Sequence, residues 1–182
     1  RSEVLIIQRQ VGVGTRWLSH LAPGDQVSLL GPLGKPFTMD ATRPRAMVVG
    51  GGVGLPPMIW LAEYLRQAGK EVTACCGARS ADLFPLTRDP AVPVRPGEAA
   101  MSFTEFAKCG VPVVVSTDDG TLGFKGLIPE SIDHFIDSGT TDTTSIVAYT
   151  CGPERMMRAV AEVCEKRGIP CQVCMERMMG CG

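Results

Sequence analysis

Met47-Val48-Val49-Gly50-Gly51-Gly52-Val53-Gly54-Leu55-Pro56-Pro57 is the stretch on which the reading of this chain turns. A short apolar, β-branched run enters a glycine cluster and a proline pair. A helical pattern follows, Met58-Ile59-Trp60-Leu61-Ala62-Glu63-Tyr64-Leu65. The order is strand, tight turn, helix start. Glycines let a phosphate-bearing ligand approach the backbone, and free N–H groups at a helix N-terminus attract negative charge. Proline suits the first helical turn, where its missing N–H is no loss. The segment reads as a nucleotide-contacting turn, although a proline pair stands where the usual dinucleotide fingerprint has its last glycine.

Outward from this turn, the chain from residue 45 alternates strand and helix. Strands are expected at Ala46–Val49, Glu71–Cys76, Pro112–Thr117 and Ser145–Thr150, and helices at Pro57–Ala68, Leu127–Ile136 and Pro153–Lys166. That pattern predicts a parallel sheet with right-handed crossovers, covered on both faces. Pro85 to Pro96 carries four prolines and reads as a surface loop. A further short strand is expected over residues 169–176. Before residue 41 the signals are of another kind. Strands are expected at residues 3–9 and 26–30, a turn at 12–15, a short helix at 16–21 and a turn at 23–25. This resembles the end of a small β-barrel. Residues 41–44 (Ala-Thr-Arg-Pro) form a linker.

The chain has 182 residues and a net charge of -1, which gives no basic field for nucleic acid and no polybasic membrane patch. No apolar run approaches the roughly 20 residues that a membrane helix needs. No signal peptide is evident at Arg1-Ser2-Glu3, and a cytoplasmic location is expected. The missing initial Met and the ending Gly180-Cys181-Gly182 read as an internal fragment of a longer protein. Eight cysteines are many for such a protein. In a reducing compartment they are buried, catalytic or metal-binding. Packing explains Cys75, Cys76 and Cys164. Cys171 and Cys174 form a C-x2-C that admits zinc or dithiol chemistry as an alternative to packing.

Four loops follow the C-terminal ends of the expected strands: Gly50–Gly54, Gly77-Ala78-Arg79-Ser80, Thr117-Asp118-Asp119-Gly120 and Thr150-Cys151-Gly152-Pro153. Ligands of open parallel sheets bind at that edge. Arg79 can meet a phosphate, stack on an adenine, or stay solvated. Asp118 and Asp119 can accept from ribose hydroxyls or cap their own loop. Cys151, at a helix start, is either an activated thiol or a small residue beneath a ligand ring, and the second reading is preferred because neither His20 nor His134 stands in the context of a base.

These residues, with Gly12-Val13-Gly14-Thr15-Arg16-Trp17-Leu18-Ser19, Asp118-Asp119-Gly120-Thr121-Leu122-Gly123-Phe124-Lys125-Gly126 and Glu176-Arg177-Met178-Met179-Gly180-Cys181-Gly182, resemble the ferredoxin–NADP reductase superfamily. Within it the chain is similar to the electron-transfer subunits of two-subunit, NAD-linked dihydroorotate dehydrogenases. The resemblance implies an α/β, ferredoxin-reductase-like fold in three parts. Residues 1–41 would be the C-terminal part of an antiparallel FAD-binding barrel, 45–169 a NAD(P)-binding domain, and 170–182 the start of an iron–sulfur segment. Leu5, Ile6, Ile7, Gly14 and Thr15 would face FAD. Gly50, Gly51, Gly52, Gly54, Pro57, Arg79, Asp118, Gly120, Cys151, Gly152 and Pro153 would hold NAD(H), with Cys151 beside the reacting rings as the candidate catalytic residue. Cys181 would be the first thiolate of a [2Fe–2S] cluster whose further ligands follow at plant-type spacing, and is the one ligand this chain holds. The family's upstream Arg-Pro-x-Ser flavin motif is absent, and the Pro85–Ser102 stretch is longer than its usual loop. The implied partner is an FMN-containing dihydroorotate dehydrogenase catalytic subunit in a heterotetramer. The open alternatives are a ferredoxin–NAD(P) reductase, the reductase subunit of a sulfhydrogenase or sulfite reductase, and a zinc-stabilised nucleotide-binding module.

Overall fold

A computed structural model describes residues 4, 6–31, 34–139 and 142–175. The chain divides into two compact units, Arg1–Pro36 and Phe37–Gly182. In the first unit one helix, α1 (Val13–Leu18), stands among extended segments and turns. It begins earlier than expected, so residues 12–15 are its first turn. The Thr15 hydroxyl accepts the N–H groups of Val11 at 2.9 Å and Gly12 at 3.1 Å, satisfying donors that a helix start otherwise leaves unpaired. Among the described residues of this unit there is no strand. Two short apolar segments do not build a sheet alone; three or more strands with a covered face are needed. Ile6, Trp17, Leu29 and Leu30 accordingly lie exposed in this unit.

The second unit is built on six parallel strands: β1 (Arg45–Gly51), β2 (Glu71–Ala78), β3 (Val113–Thr117), β4 (Phe124–Lys125), β5 (Ile146–Cys151) and β6 (Cys171–Val173). Their spatial order is β4-β3-β2-β1-β5-β6. The chain therefore moves outward from β1 in one direction and returns to β5 on its other side. The point of reversal lies between β1 and β5. The four expected long strands are all present, each within one or two residues of its expected ends. The two-residue β4 is too short to show a period and was not expected.

Alternate residues along the strands serve two cores. Val48, Val72, Cys76, Val113, Val115 and Tyr149 face one layer, formed with α2 (Leu55–Gln67) and α3 (Thr104–Ala107). Met47, Val49, Cys75, Val114 and Ala148 face the other, formed with α4 (Ile128–Ser138) and α5 (Glu154–Lys166). A parallel sheet buried on both faces requires this near-continuous apolar sequence. The helices show the matching period. α2 buries Leu55, Met58, Ala62 and Leu65, and α5 buries Met157, Val160, Val163 and Cys164. Full burial of a side chain such as Leu65 or Ile132 stabilises by roughly 1.5–3 kcal/mol.

Two regions depart from the expectation. Residues 85–102 are irregular, as expected, but not merely superficial. Phe84, Leu86 and Val94 pack against the first core, and Phe84 lies 5.1 Å from the fully buried Phe103. The Ser138 hydroxyl donates to the Gly97 carbonyl at 3.4 Å, fastening the loop to α4. The segment before β1 is fastened as well. Phe37 meets Tyr149 edge-on at 5.4 Å, the Tyr149 hydroxyl donates to the Thr38 carbonyl at 3.3 Å, and the Gln172 amide donates to the same carbonyl at 2.6 Å. The Lys70 ammonium donates to the carbonyls of Asp40 and Arg43. Residues 37–40 are thus sewn to β5, β6 and Lys70, in the turn between α2 and β2. β6, at residues 171–173, is the sixth strand of the same sheet.

Candidate functional site at the carboxyl edge of the sheet

Because all six strands are parallel, the turns leaving β1, β2, β3 and β5 gather at one edge. The turn after β1 and the corner after β5 flank the reversal point, where open α/β sheets bind their ligands. They also touch. A Cβ built on Gly54 would lie 2.1 Å from the Cys151 carbonyl oxygen and 2.6 Å from the Gly152 nitrogen. One built on Gly152 would lie 2.8 Å from Met156 Cε and 3.0 Å from the Gly51 oxygen. A Cβ on Gly51 would meet Met156 Sδ at 2.6 Å. Any of these side chains would displace the wall behind the turn. Gly52, by contrast, takes φ +57 with open space around it, a left-handed conformation that L side chains rarely adopt. The result is a bare backbone surface at the reversal point, walled by Met156 and Leu55.

Of the first three residues of α2, Pro56 and Pro57 have no N–H and the Leu55 N–H donates to the Gly52 carbonyl. The helix start therefore offers less to an anion than the sequence suggests. α5 offers more. Its first backbone bond back to the cap is from Met157 N–H to the Pro153 carbonyl at 3.0 Å, so the N–H groups of residues 154–156 have no intrahelical partner.

Beside the glycine turn, the β2 and β3 turns brace each other. The Asp118 N–H donates to the Ala78 carbonyl and the Asp119 N–H to the Arg79 carbonyl, both at 3.2 Å. Asp119 Oδ1 accepts the Thr121 hydroxyl at 2.7 Å and the Thr121 N–H at 3.0 Å. The Thr121 side chain, followed by its N–H, holds the Asp119 carboxyl below its ordinary range. Asp119 thus caps its own loop, while the Asp118 side chain is exposed. The Arg79 guanidinium is exposed too, with no hydrogen bond or ion pair among the described residues. Gly120 takes φ +78 against the stem of Lys125.

The structure brings together Gly50, Gly51, Gly52, Gly54, Cys151, Gly152 and Pro153, and places Pro57, Arg79, Asp118 and Gly120 on the same edge. Cys151 is half-buried and packs against the first core. Ile6, Ile7, Gly14 and Thr15 belong to the first unit. Leu5 and Cys181 lie outside the described residues. Met156 and Thr121 were not anticipated. Only the spacing of Thr121 two residues after Asp119, the pattern of an Asx turn, carries a local signal.

The cysteines divide as packing predicts for Cys75, Cys76 and Cys164, which are buried. Burial pushes the Cys75 thiol up to about 12 and raises that of Cys76. Cys171 turns toward the second core, where its thiol pairs with that of Cys164. That hydrogen bond raises Cys164 and lowers Cys171. Cys174 is exposed, and neither cysteine of the C-x2-C is in a disulfide. Among the described residues no three His, Cys, Asp or Glu side chains are grouped to hold a metal ion. No helix there is long and apolar enough to cross a membrane.

No family model matches the chain. Individual relatives do. The electron transfer subunit of dihydroorotate dehydrogenase B (NAD(+)) from Desulforamulus reducens is 33% identical over 97% of this chain and 60% of its own length. The subunit of the same name from Geobacillus thermodenitrificans is 35% identical over 100% of this chain and 62% of its own length. The probable counterpart from Methanopyrus kandleri is 35% identical over 94% and 57%. The chain thus spans about three-fifths of the length of these relatives. Among solved structures, the NADH-dependent reduced ferredoxin-NADP oxidoreductase aligns with a TM-score of 0.73 and 26% identity, over 94% of this chain and 55% of that one. An Amycolatopsis cytochrome P450 reductase aligns with a TM-score of 0.65 and 23% identity, over 89% and 48%, a likeness of fold. Over the stretch it spans, with its ferredoxin-reductase-like fold and glycine-lined edge, the chain is similar to dihydroorotate dehydrogenase B electron transfer subunits.

Proposed function

We propose that this chain is the nucleotide-handling part of a cytoplasmic electron-transfer flavoprotein subunit, which moves electrons between NAD(H) and an FMN-containing dihydroorotate dehydrogenase partner in a heterotetramer. The observation that carries this reading is the contact of two glycine turns, Gly50–Gly54 and Cys151–Pro153, at the reversal point of the sheet. It leaves a surface without side chains on which a dinucleotide can lie. The N–H groups of the β1 turn and of α5 suit its pyrophosphate. Cys151 is half-buried at the corner and places the nicotinamide by its small size.

Flavin and cluster, when bound, supply the change between two-electron hydride exchange and single-electron transfer. The residues present fit that division of labour. Ile6 and Ile7 offer exposed apolar surface for a flavin, and a Cβ at Gly14 would meet nothing within 4 Å. Thr15 Oγ1 is engaged by backbone N–H groups, so its part would be to fix the turn. The protein positions and shields, and needs no acid–base pair. Cys181 would begin the cluster.

The test uses the full-length protein with its partner. Flavin content near one FAD per chain and anaerobic production of NADH from NAD(+) on addition of dihydroorotate are expected. A colourless protein, or one whose bound flavin is not reduced by NADH, overturns the reading. Reduction by NADH with no response to dihydroorotate overturns the partner alone.

A further inference from the structure

The C-x2-C at Cys171 and Cys174 has no part in the function proposed above. A strand rises about 3.3 Å per residue, so three steps along β6 set the two Cα atoms about 10 Å apart. A disulfide spans no more than about 7 Å. Three steps also place the two cysteines on opposite faces, because side chains alternate along a strand. The sheet gives each of them another neighbour. Cys171 pairs in register with Ala148 and packs against the second core. Gln172 pairs with Tyr149, and both side chains donate to the Thr38 carbonyl on the other face. Val173 pairs with Thr150, and the Cys174 N–H still donates to the Thr150 carbonyl at 2.9 Å. The ladder thus reaches the next pair, Cys151 and Cys174. By alternation both stand on the Tyr149 face, where Cys151 packs against the first core. Neighbouring strands lie about 4.8 Å apart, within the roughly 4.4–6.8 Å that separates the Cα atoms of a disulfide.

We propose that Cys151 and Cys174 are a redox pair: a peroxide joins them in a cross-strand disulfide that closes the corner after β5 to the nucleotide, and a reducing dithiol reopens it. Susceptibility to a peroxide follows exposure and thiolate character. Cys174 is the only exposed cysteine among the described residues, and Cys151 is half-buried beside it. Cys75, Cys76 and Cys164 are buried, and the Cys109 thiol donates to the Phe106 carbonyl at 3.1 Å. With hydrogen peroxide, the Cys174 thiolate attacks one oxygen, the O–O bond breaks, and a water leaves as Cys174 becomes a sulfenic acid. The Cys151 thiolate then attacks that sulfur, the S–O bond breaks, and a second water leaves as the S–S bond forms. Two thiols lose two electrons and one peroxide gains them. A dithiol reverses the step by exchange and is itself oxidised. The closing of the corner rests on the nucleotide-binding reading above. There Cys151 serves by its small size, and its carbonyl is the wall on which Gly54 rests. The disulfide sets a second side chain on that corner and ties the end of β6 to it.

The experiment treats the reduced full-length protein with stoichiometric hydrogen peroxide, alkylates the remaining thiols and maps peptides by mass without reduction. A linked peptide containing Cys151 and Cys174, two hydrogens lighter than its parts, is expected. NADH binding should weaken by about tenfold or more and return with dithiothreitol. Cys174→Ser, at an exposed position where folding is retained, should form no such peptide and keep its NADH affinity through the same treatment. Absence of the linked peptide from the unmodified protein overturns the inference, as does a disulfide from Cys174 to any other cysteine. A linked protein that binds NADH as tightly as the reduced one overturns the closing of the corner. If the reduced protein itself binds no NADH, the nucleotide reading fails, while the linked peptide still reports the pair.

Discussion

Two glycine-rich turns occupy this chain, and the structure treats them differently. Around Gly12 and Gly14 a Cβ would meet nothing within 4 Å, and the turn between them begins a six-residue helix. In the turn after β1, the glycines at 50, 51 and 54 stand against Leu55, Met156 and the backbone of Cys151. The first pair leaves space that an alanine could occupy. The second set has its space already filled from behind, so its open side is the only one available to a ligand. A count of glycines does not separate the two cases; the atoms behind each Cα do.

The largest effect expected from breaking this difference is at Gly54. Gly54→Ala sets a methyl against backbone that cannot rotate away, and should cost about 3 kcal/mol in urea unfolding, at the upper end of what overpacking does. NADH binding should fall with it. Gly51→Ala meets the flexible end of Met156 instead, and should cost about 1 kcal/mol. Adding Met156→Ala should return part of that loss, whereas Gly54→Ala should gain nothing from it. A double-mutant cycle measures this coupling. If Gly51→Ala and Gly54→Ala prove equal and both indifferent to Met156, the distinction between flexible and backbone walls is wrong.

Acid should act more gently, through the brace beside the turn. Thr121 holds the Asp119 carboxyl below its ordinary 3.8. A carboxylate lowered by folding contributes stability above its unfolded value and loses it as the pH falls through the folded one. The melting temperature should therefore hold from pH 7 to 5 and decline below about pH 4. Asp40, Asp137 and Asp142 are lowered in the same direction and contribute to the same decline. Thr121→Val should make the decline shallower; an identical acid profile would deny the brace a role. The smallest effect belongs to the open turn. Gly14→Ala lies in α1 and should change stability by no more than about 0.5 kcal/mol, in either direction. A loss near that of Gly54→Ala would dissolve the contrast between the turns.

Much of the second unit was legible before its structure. Val48, Val72, Val113 and Val147 sit in short apolar runs bounded by glycine and proline, and such runs state both strand and burial. The period of Met157, Val160 and Cys164 states a helix face. What escaped was either too short for periodicity or held by distant partners. β4 has two residues, and α3 has four. Phe103 and Phe106 stand in a stretch with no repeating pattern, yet both are fully buried because the adjoining loop folds back over them. Phe37 and Thr38 looked like the end of one domain and are fastened to the other by Tyr149 and Gln172. In the site, the glycine loops and Cys151 could be named from their place after strands. Met156 could not, since nothing in a helical Met-Met-Arg marks the residue that will wall a turn.

The sequence by itself determined the alternation of strand and helix, the two buried faces of the sheet and the identity of its glycine turns, because these follow from local periodicity and from residues lacking a Cβ or an N–H. Only the tertiary structure decided that β1 and β5 are neighbours, that Gly54 rests on Cys151, that Cys174 follows the register opposite Cys151, and that Cys171 answers to Cys164 and not to Cys174. Each of these is a contact between segments whose separation along the chain, or whose side-chain direction, is fixed only when the sheet order is.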